Sequence, residues 1–263
     1  MNVFWREIRA YRKSLLFWSI GVFLMVASGM GKYAGLSASG QSMSQMMSDM
    51  PKSLQAILGI GNLDLNTASG YYGILFVYLL LMATIHAAML GANIIAKEER
   101  DKTSEFLFVK PLTRNQIITS KLLAALVNII LFNLVTCMAS VLMVGKYSKG
   151  ESIAGDIAIT MLAMFILQLL FLFIGTATAA VLKKSKTAAS LATGILLLTF
   201  VLSIAIDLND RLASLKYITP FKYFEAKNVM YGGGLDTVFV LLSAALIAVL
   251  VTVTYTFFNK RDL

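Results

Sequence analysis

The sequence predicts an all-α integral membrane protein, with six transmembrane helices, an N-terminal interfacial amphipathic helix, and a short helix on the cytoplasmic side between the second and third spans. Two observations carry that expectation. Six stretches contain no Asp, Glu, Lys or Arg: Leu15 to Gly31, Leu65 to Ala96, Leu122 to Gly145, Ile157 to Leu182, Thr187 to Ile206 and Thr237 to Asn259. Each approaches or exceeds the ~20 apolar residues that a helix needs to cross a hydrocarbon core. The composition agrees, at 58% hydrophobic and 14% charged residues with a mean hydropathy of +0.76, where a soluble chain carries about 25% charge. Backbone groups in lipid must be satisfied within a helix or a closed barrel. Uncharged runs of this length without two-residue alternation select helices.

Taken in order, the first element is the arm over residues 1–13. Phe4, Ile8, Tyr11 and Leu15 recur at helical spacing, while Arg6, Arg9 and Lys13 fall on the other face, a pattern suited to the headgroup layer with Trp5 and Trp18 at its level. A basic start before an apolar run also resembles a signal peptide, but an ordinary basic leader needs no such patterning, so the first span is expected to be retained. The spans follow at about 15–31, 70–96, 121–145, 157–182, 187–206 and 236–258. No connection is long enough for an independent core, so residues 1–263 form a single domain. Pro51, Pro111 and Pro220, the three prolines, all fall in connections, which leaves the spans continuous.

Sidedness follows from the basic residues, because Lys and Arg near span ends are retained in the cytoplasm. With six spans, the arm, the second connection, the fourth connection and the tail share one side and hold fifteen of the 23 basic residues. Both termini are therefore expected in the cytoplasm. The net charge of +9 serves topology and attraction to anionic headgroups, and not nucleic-acid binding.

Several chemistries lack their residues. The one histidine, His86, excludes an intramembrane metalloprotease with its paired histidines, and it reads as a packing residue within the second span. Ion-coupled carriers place ionisable groups in their spans, where these spans offer only His86. The phosphate-binding pattern G-x-x-x-x-G-K-[ST] is missing, since Gly31-Lys32 and Gly145-Lys146 are each followed by Tyr. No catalytic site, metal or cofactor is expected in this chain. Cys137, the only cysteine, lies inside a span, so no intrachain disulfide is possible.

The polar connection from Lys97 to Lys121 is the most informative segment. A run dense in both signs leads to an apolar cluster, Phe106, Leu107, Phe108 and Val109, closed by Pro111. Thr113 and Gln116 then have capping-box spacing, with Leu112 and Ile117 as a hydrophobic staple, so a new helix should begin near Arg114. Aromatic and aliphatic groups inside a charged rim have the anatomy of a protein docking site; a charged loop lying along the headgroups is the plainer alternative.

These residues resemble the permease subunits of ABC-2 type transporters, the six-helix membrane domains of bacterial ABC exporters. Glu99, Thr103, Glu105, Leu107, Pro111, Leu112, Thr113, Arg114 and Lys121 match that family's stretch after the second span, with Lys102 replacing its usual Gly. Thr219-Pro220-Phe221-Lys222-Tyr223-Phe224 resembles an element before its last span, and Phe258-Asn259-Lys260-Arg261-Asp262-Leu263 resembles its close. The resemblance implies that the second connection is a coupling helix seated in a separate ABC ATPase subunit, expected in two copies, which binds the ATP and Mg. Glu99, Thr103, Glu105, Phe106, Leu107, Phe108, Pro111 and Arg114 would form that interface, Phe106, Leu107 and Phe108 as anchors and Glu99, Glu105 and Arg114 as orienting charges. Lys183 to Lys186 would be a topology signal or a shorter second contact.

It also implies a second permease chain, identical or homologous, in the plasma membrane of a bacterium. Ala83, Ala87 and Gly91, and Gly175 and Ala179, have the four-residue spacing of close helix packing, within one chain or between two. Spans without charge suggest a hydrophobic or amphipathic substrate such as a peptide, an antibiotic or a lipid-like molecule. Met43, Met46, Met47 and Met50 suit a half-buried lid or an adaptable surface, and Tyr217, Phe221, Tyr223 and Phe224 an interfacial plug or belt. The competing class is a non-transporting immunity or sensor protein whose cytoplasmic loop recruits a partner.

Overall fold

The computed structural model describes residues 3–38, 45, 49–59, 63–101, 112–148, 153–182, 187–231 and 233–260. Among these it contains eight α-helices and no strand: α1 (Val3–Ala38), α2 (Lys52–Leu58), α3 (Ala68–Arg100), α4 (Arg114–Tyr147), α5 (Ala154–Val181), α6 (Ala188–Leu208), α7 (Ala226–Tyr231) and α8 (Thr237–Asn259). Two 3₁₀ turns, Asp210–Tyr217 and Pro220–Lys222, lie between α6 and α7. Helices α1, α3, α4, α5, α6 and α8 are each long and apolar enough to cross a membrane.

The arm and the first span are one element, where the sequence suggested two. Residues 3–38 run as one uninterrupted helix of 36 residues, about 54 Å long at 1.5 Å per residue and well beyond a hydrocarbon core of about 30 Å. Nothing between Lys13 and Leu15 breaks a helix, neither Pro nor Gly. Phe4, Ile8, Tyr11 and Leu15 form the stripe that packs against the core. The start of α4 follows its sequence signal: the Thr113 hydroxyl accepts from the Gln116 N–H and the Gln116 side chain accepts from the Thr113 N–H, a complete capping box.

Helix α3 is the centre of the bundle, with α5 pressed against it. A Cβ on Gly91 would lie 2.2 Å from the Leu172 carbonyl oxygen, and one on Gly175 would lie 2.3 Å from that of Ala88. Only glycine permits this approach of two backbones, and Ala83, Ala87 and Ala179 are buried along the same seam. The small-residue spacings thus serve packing within the chain. Polar side chains join the helices elsewhere, as buried donors require in a setting without water. Tyr72 on α3 donates to Ser140 on α4 at 3.0 Å, Asn133 on α4 donates to Gln168 on α5 at 3.2 Å, and the Thr176 and Thr254 hydroxyls link α5 to α8 at 3.0 Å. His86 stacks on Phe132 with centroids 4.9 Å apart and meets Trp18 at 5.5 Å, joining α3 to α4 and α1 as a packing residue.

Candidate functional site

Three helix ends converge at one end of the bundle. Ile94, Lys97 and Glu98 lie in the last two turns of α3, and the four-residue spacing of Ile94 and Glu98 puts both on one helix face. Lys121, two turns into α4, reaches that face. Its ammonium, fully buried, donates to the Ile94 carbonyl at 2.5 Å and to the Glu98 carboxylate. The first turns of α1 supply the rest. Arg6 donates through Nη2 to Glu98 Oε1 at 2.5 Å and to Glu7 Oε1 at 2.6 Å, with Nε also on Glu7 at 3.0 Å. Lys97 stands 3.5 Å from Glu7 Oε2 as a counter-charge, and over the Tyr11 ring at 5.7 Å.

Glu7 is wholly buried and Glu98 nearly so, an arrangement that survives only where each charge is paired. Three cations face two carboxylates here, so losing a carboxylate leaves buried positive charge without its partner and losing a cation leaves a buried carboxylate with fewer partners. Such a cluster fixes which helices meet and in what register more than it adds net stability. It ties α1, α3 and α4 together at the points where the connection over residues 102–111 leaves and returns.

A second tether runs to the last helix. Arg114 Nη1 donates to the Asn259 carbonyl at 2.8 Å, satisfying an open acceptor at the end of α8, and the Asn259 amide donates to Asn115 Oδ1 at 2.7 Å. One turn further along α4, Thr119 pairs with the Tyr255 hydroxyl at 2.8 Å. The start of α1 and the end of α8 therefore share this end of the bundle.

Of the residues expected at the interface, Glu99 lies in the last turn of α3, half-buried, and Arg114 opens α4. Thr103, Glu105, Phe106, Leu107, Phe108 and Pro111 lie outside the described residues, as do Met43, Met46, Met47 and Lys183 to Lys186. Sequence reasoning overlooked Glu7 and Glu98. A signal for Glu7 was present, because it falls three residues after Phe4 and four before Tyr11, a carboxylate set in an apolar stripe, and such a group needs a buried cation.

Six helices long and apolar enough to cross a membrane, three of them joined at one end by buried ion pairs, define a multi-pass helical membrane protein. A family model described as ABC-2 family transporter protein matches residues 1–263. The chain belongs to the ABC-2 family of transporter membrane proteins, whose permeases are generally not catalytic themselves and work with an ABC ATPase. No curated protein matches the chain.

Proposed function

We propose that this chain is the permease subunit of an ABC exporter in a bacterial plasma membrane, forming the translocation pathway with a second permease chain and coupling it to a separate ATPase through the connection between α3 and α4. Both termini then face the cytoplasm, and ATP and Mg belong to the partner. The observation that carries this reading is the buried cluster of Arg6, Glu7, Lys97, Glu98 and Lys121. A push on residues 102–111 reaches α3 and α4 together, because Glu98 and Lys121 lock them, and it reaches α1 through Arg6. The seam of Gly91 and Gly175 passes the displacement to α5, since backbones in contact cannot slide without carrying each other. The charged rim and apolar centre of the connection suit a protein partner, and a hydrophobic or amphipathic cargo suits spans that carry charge only at their ends.

Purification of this chain from its native membranes tests the assignment. Copurification of an ATPase, with ATP turnover that rises in the presence of this chain, is the expected result. Isolation without any nucleotide-binding partner would favour a non-transporting membrane protein. Sidedness is tested separately by Ser104→Cys in a Cys137→Ser background: an impermeant thiol reagent should leave it unlabelled in intact cells, and labelling there would put the connection on the wrong side of the membrane.

A further inference from the structure

At the end of the bundle away from the ion cluster, a cavity of about 350 Å³ opens between α2, α3, α6 and the segment around Pro220–Lys222, a size within the ~300–1,000 Å³ of small-molecule sites. Its deep walls are apolar: Phe76 and Leu80 from α3, Phe200 and Ile204 from α6, and Phe221 and Phe224 from the connection. The connection is fastened to α6, with Thr219 donating to the Thr199 carbonyl at 2.5 Å and Phe221 packed edge-on to Phe200 at 5.2 Å. That side of the cavity is therefore pre-formed. Helix α2, the remaining wall, has no buried residue and packs on α6; it ends at Gly59, whose φ of 68° forms a left-handed cap and where a Cβ would lie 2.8 Å from Val77 on α3.

The polar rim decides the chemistry. Asp207 and Glu225 would attract a cation if they were free, but Lys222 bridges both carboxylates, and Lys227 stands 3.4 Å from Glu225 and 3.9 Å from Asp207. Two lysines thus neutralise two carboxylates. Lys52, at the mouth and exposed, forms no ion pair among the described residues. Among the described residues it leaves the rim with one uncompensated positive charge above a hydrophobic well. We propose that this cavity binds an amphiphile that lowers one alkyl chain among Phe76, Phe200, Phe221 and Phe224 and sets an anionic head group, phosphate or carboxylate, against Lys52. A bilayer phospholipid inserting one of its chains and a free single-chain amphiphile present that same chemistry. The site goes beyond the permease assignment and stands without it.

The test is saturable binding of radiolabelled dodecyl phosphate to the purified chain in phosphatidylcholine nanodiscs, measured over empty discs and without any ATPase. Failure here is therefore distinguishable from failure of the transport reading. The expected result is one site per chain, at least about tenfold weaker for dodecyltrimethylammonium, weakened about tenfold by Lys52→Ala, which removes one charge-assisted contact at an exposed position, and lost in Val77→Trp, which fills the well. An unchanged melting profile for Val77→Trp confirms that it folds, and Lys52→Ala decides the question if it does not. Phosphatidylglycerol in the disc that displaces the probe supports the site with a bilayer lipid as occupant; displacement by lysophosphatidic acid alone supports it with a free amphiphile. Absence of saturable binding, equal affinity for the cationic amphiphile, or wild-type affinity in Lys52→Ala overturns the proposal.

Discussion

Lys121, buried near the start of α4, donates to the carboxylate of Glu98 in the last turn of α3, so the two helices that flank the 102–111 connection are joined by charge just inside it. A lysine in that position has no water to fall back on. Truncating it as Lys121→Ala leaves Glu98 with Arg6 alone, and the expected loss is about 3–5 kcal/mol, the cost of breaking a buried pair by deleting one partner. The double variant Lys121→Ala with Glu98→Gln should recover about 0.5–3 kcal/mol of the summed losses of the two single variants. Unfolding midpoints in mild detergent titrated with a denaturing one give the cycle, and strict additivity would mean that the two groups are not coupled.

The seam between α3 and α5 predicts a sharper failure. Gly91→Ala places a methyl group 2.2 Å from a backbone oxygen, which no rotamer change relieves, so the helices must separate. The expected loss is at least about 1–3 kcal/mol, the usual range for overpacking, and Gly91→Leu should give no monodisperse protein. Gly145→Ala is the control, since nothing lies within 4 Å of its added Cβ. Size-exclusion profiles and melting midpoints of the three variants decide it.

The spans were legible because a physical length must be met by uncharged residues, a one-dimensional requirement that any reader of the chain can check. The capping box of Thr113 and Gln116 was legible for the same reason, since its partners lie three residues apart. The cluster around Glu7 was not. Its partner Lys97 comes ninety residues later in the chain, and helical periodicity says which face a residue occupies but not which other helix covers that face. The inward turn of Lys121 was not legible either, because a lysine near a span end commonly extends its ammonium to the headgroups, and only packing shows where this one goes. Phe221 and Phe224 were recognisable as an aromatic group near the interface, whereas the cavity they line depends on α2 and α6 arriving from distant parts of the sequence.

Coupling through the connection predicts a loss that is functional and not structural. Phe106→Asp and Leu107→Asp put a charge into the apolar centre of the proposed docking surface, where buried anchors each contribute about 2 kcal/mol or more. Affinity for the ATPase should fall at least about 30-fold and stimulated ATP hydrolysis should disappear. Insertion and melting of the permease alone should not change, because neither residue is needed for a span. ATPase assays across a titration of permease, read beside detergent melting curves, separate the two effects. Wild-type stimulation in both variants would move the docking site elsewhere.

At the opposite end, Lys222 and Lys227 approach the same two carboxylates from different depths, and their substitution should not be equivalent. The Lys222 side chain is 7% exposed and bridges Asp207 and Glu225, whereas that of Lys227 is 36% exposed and stands at 3.4 and 3.9 Å. Removing a buried counter-ion leaves uncompensated charge in a poorly solvated place, at a cost of about 3–5 kcal/mol; removing an exposed one costs about 0–1 kcal/mol. Lys222→Ala should therefore loosen the connection between α6 and α8, which hydrogen exchange would register as faster exchange across Leu212 to Tyr231, while Lys227→Ala should leave it close to wild type. Equal protection in both variants would mean that the Thr219 hydrogen bond and the stack of Tyr223 on Phe239, with centroids 4.8 Å apart, hold the connection without help from its ion pairs.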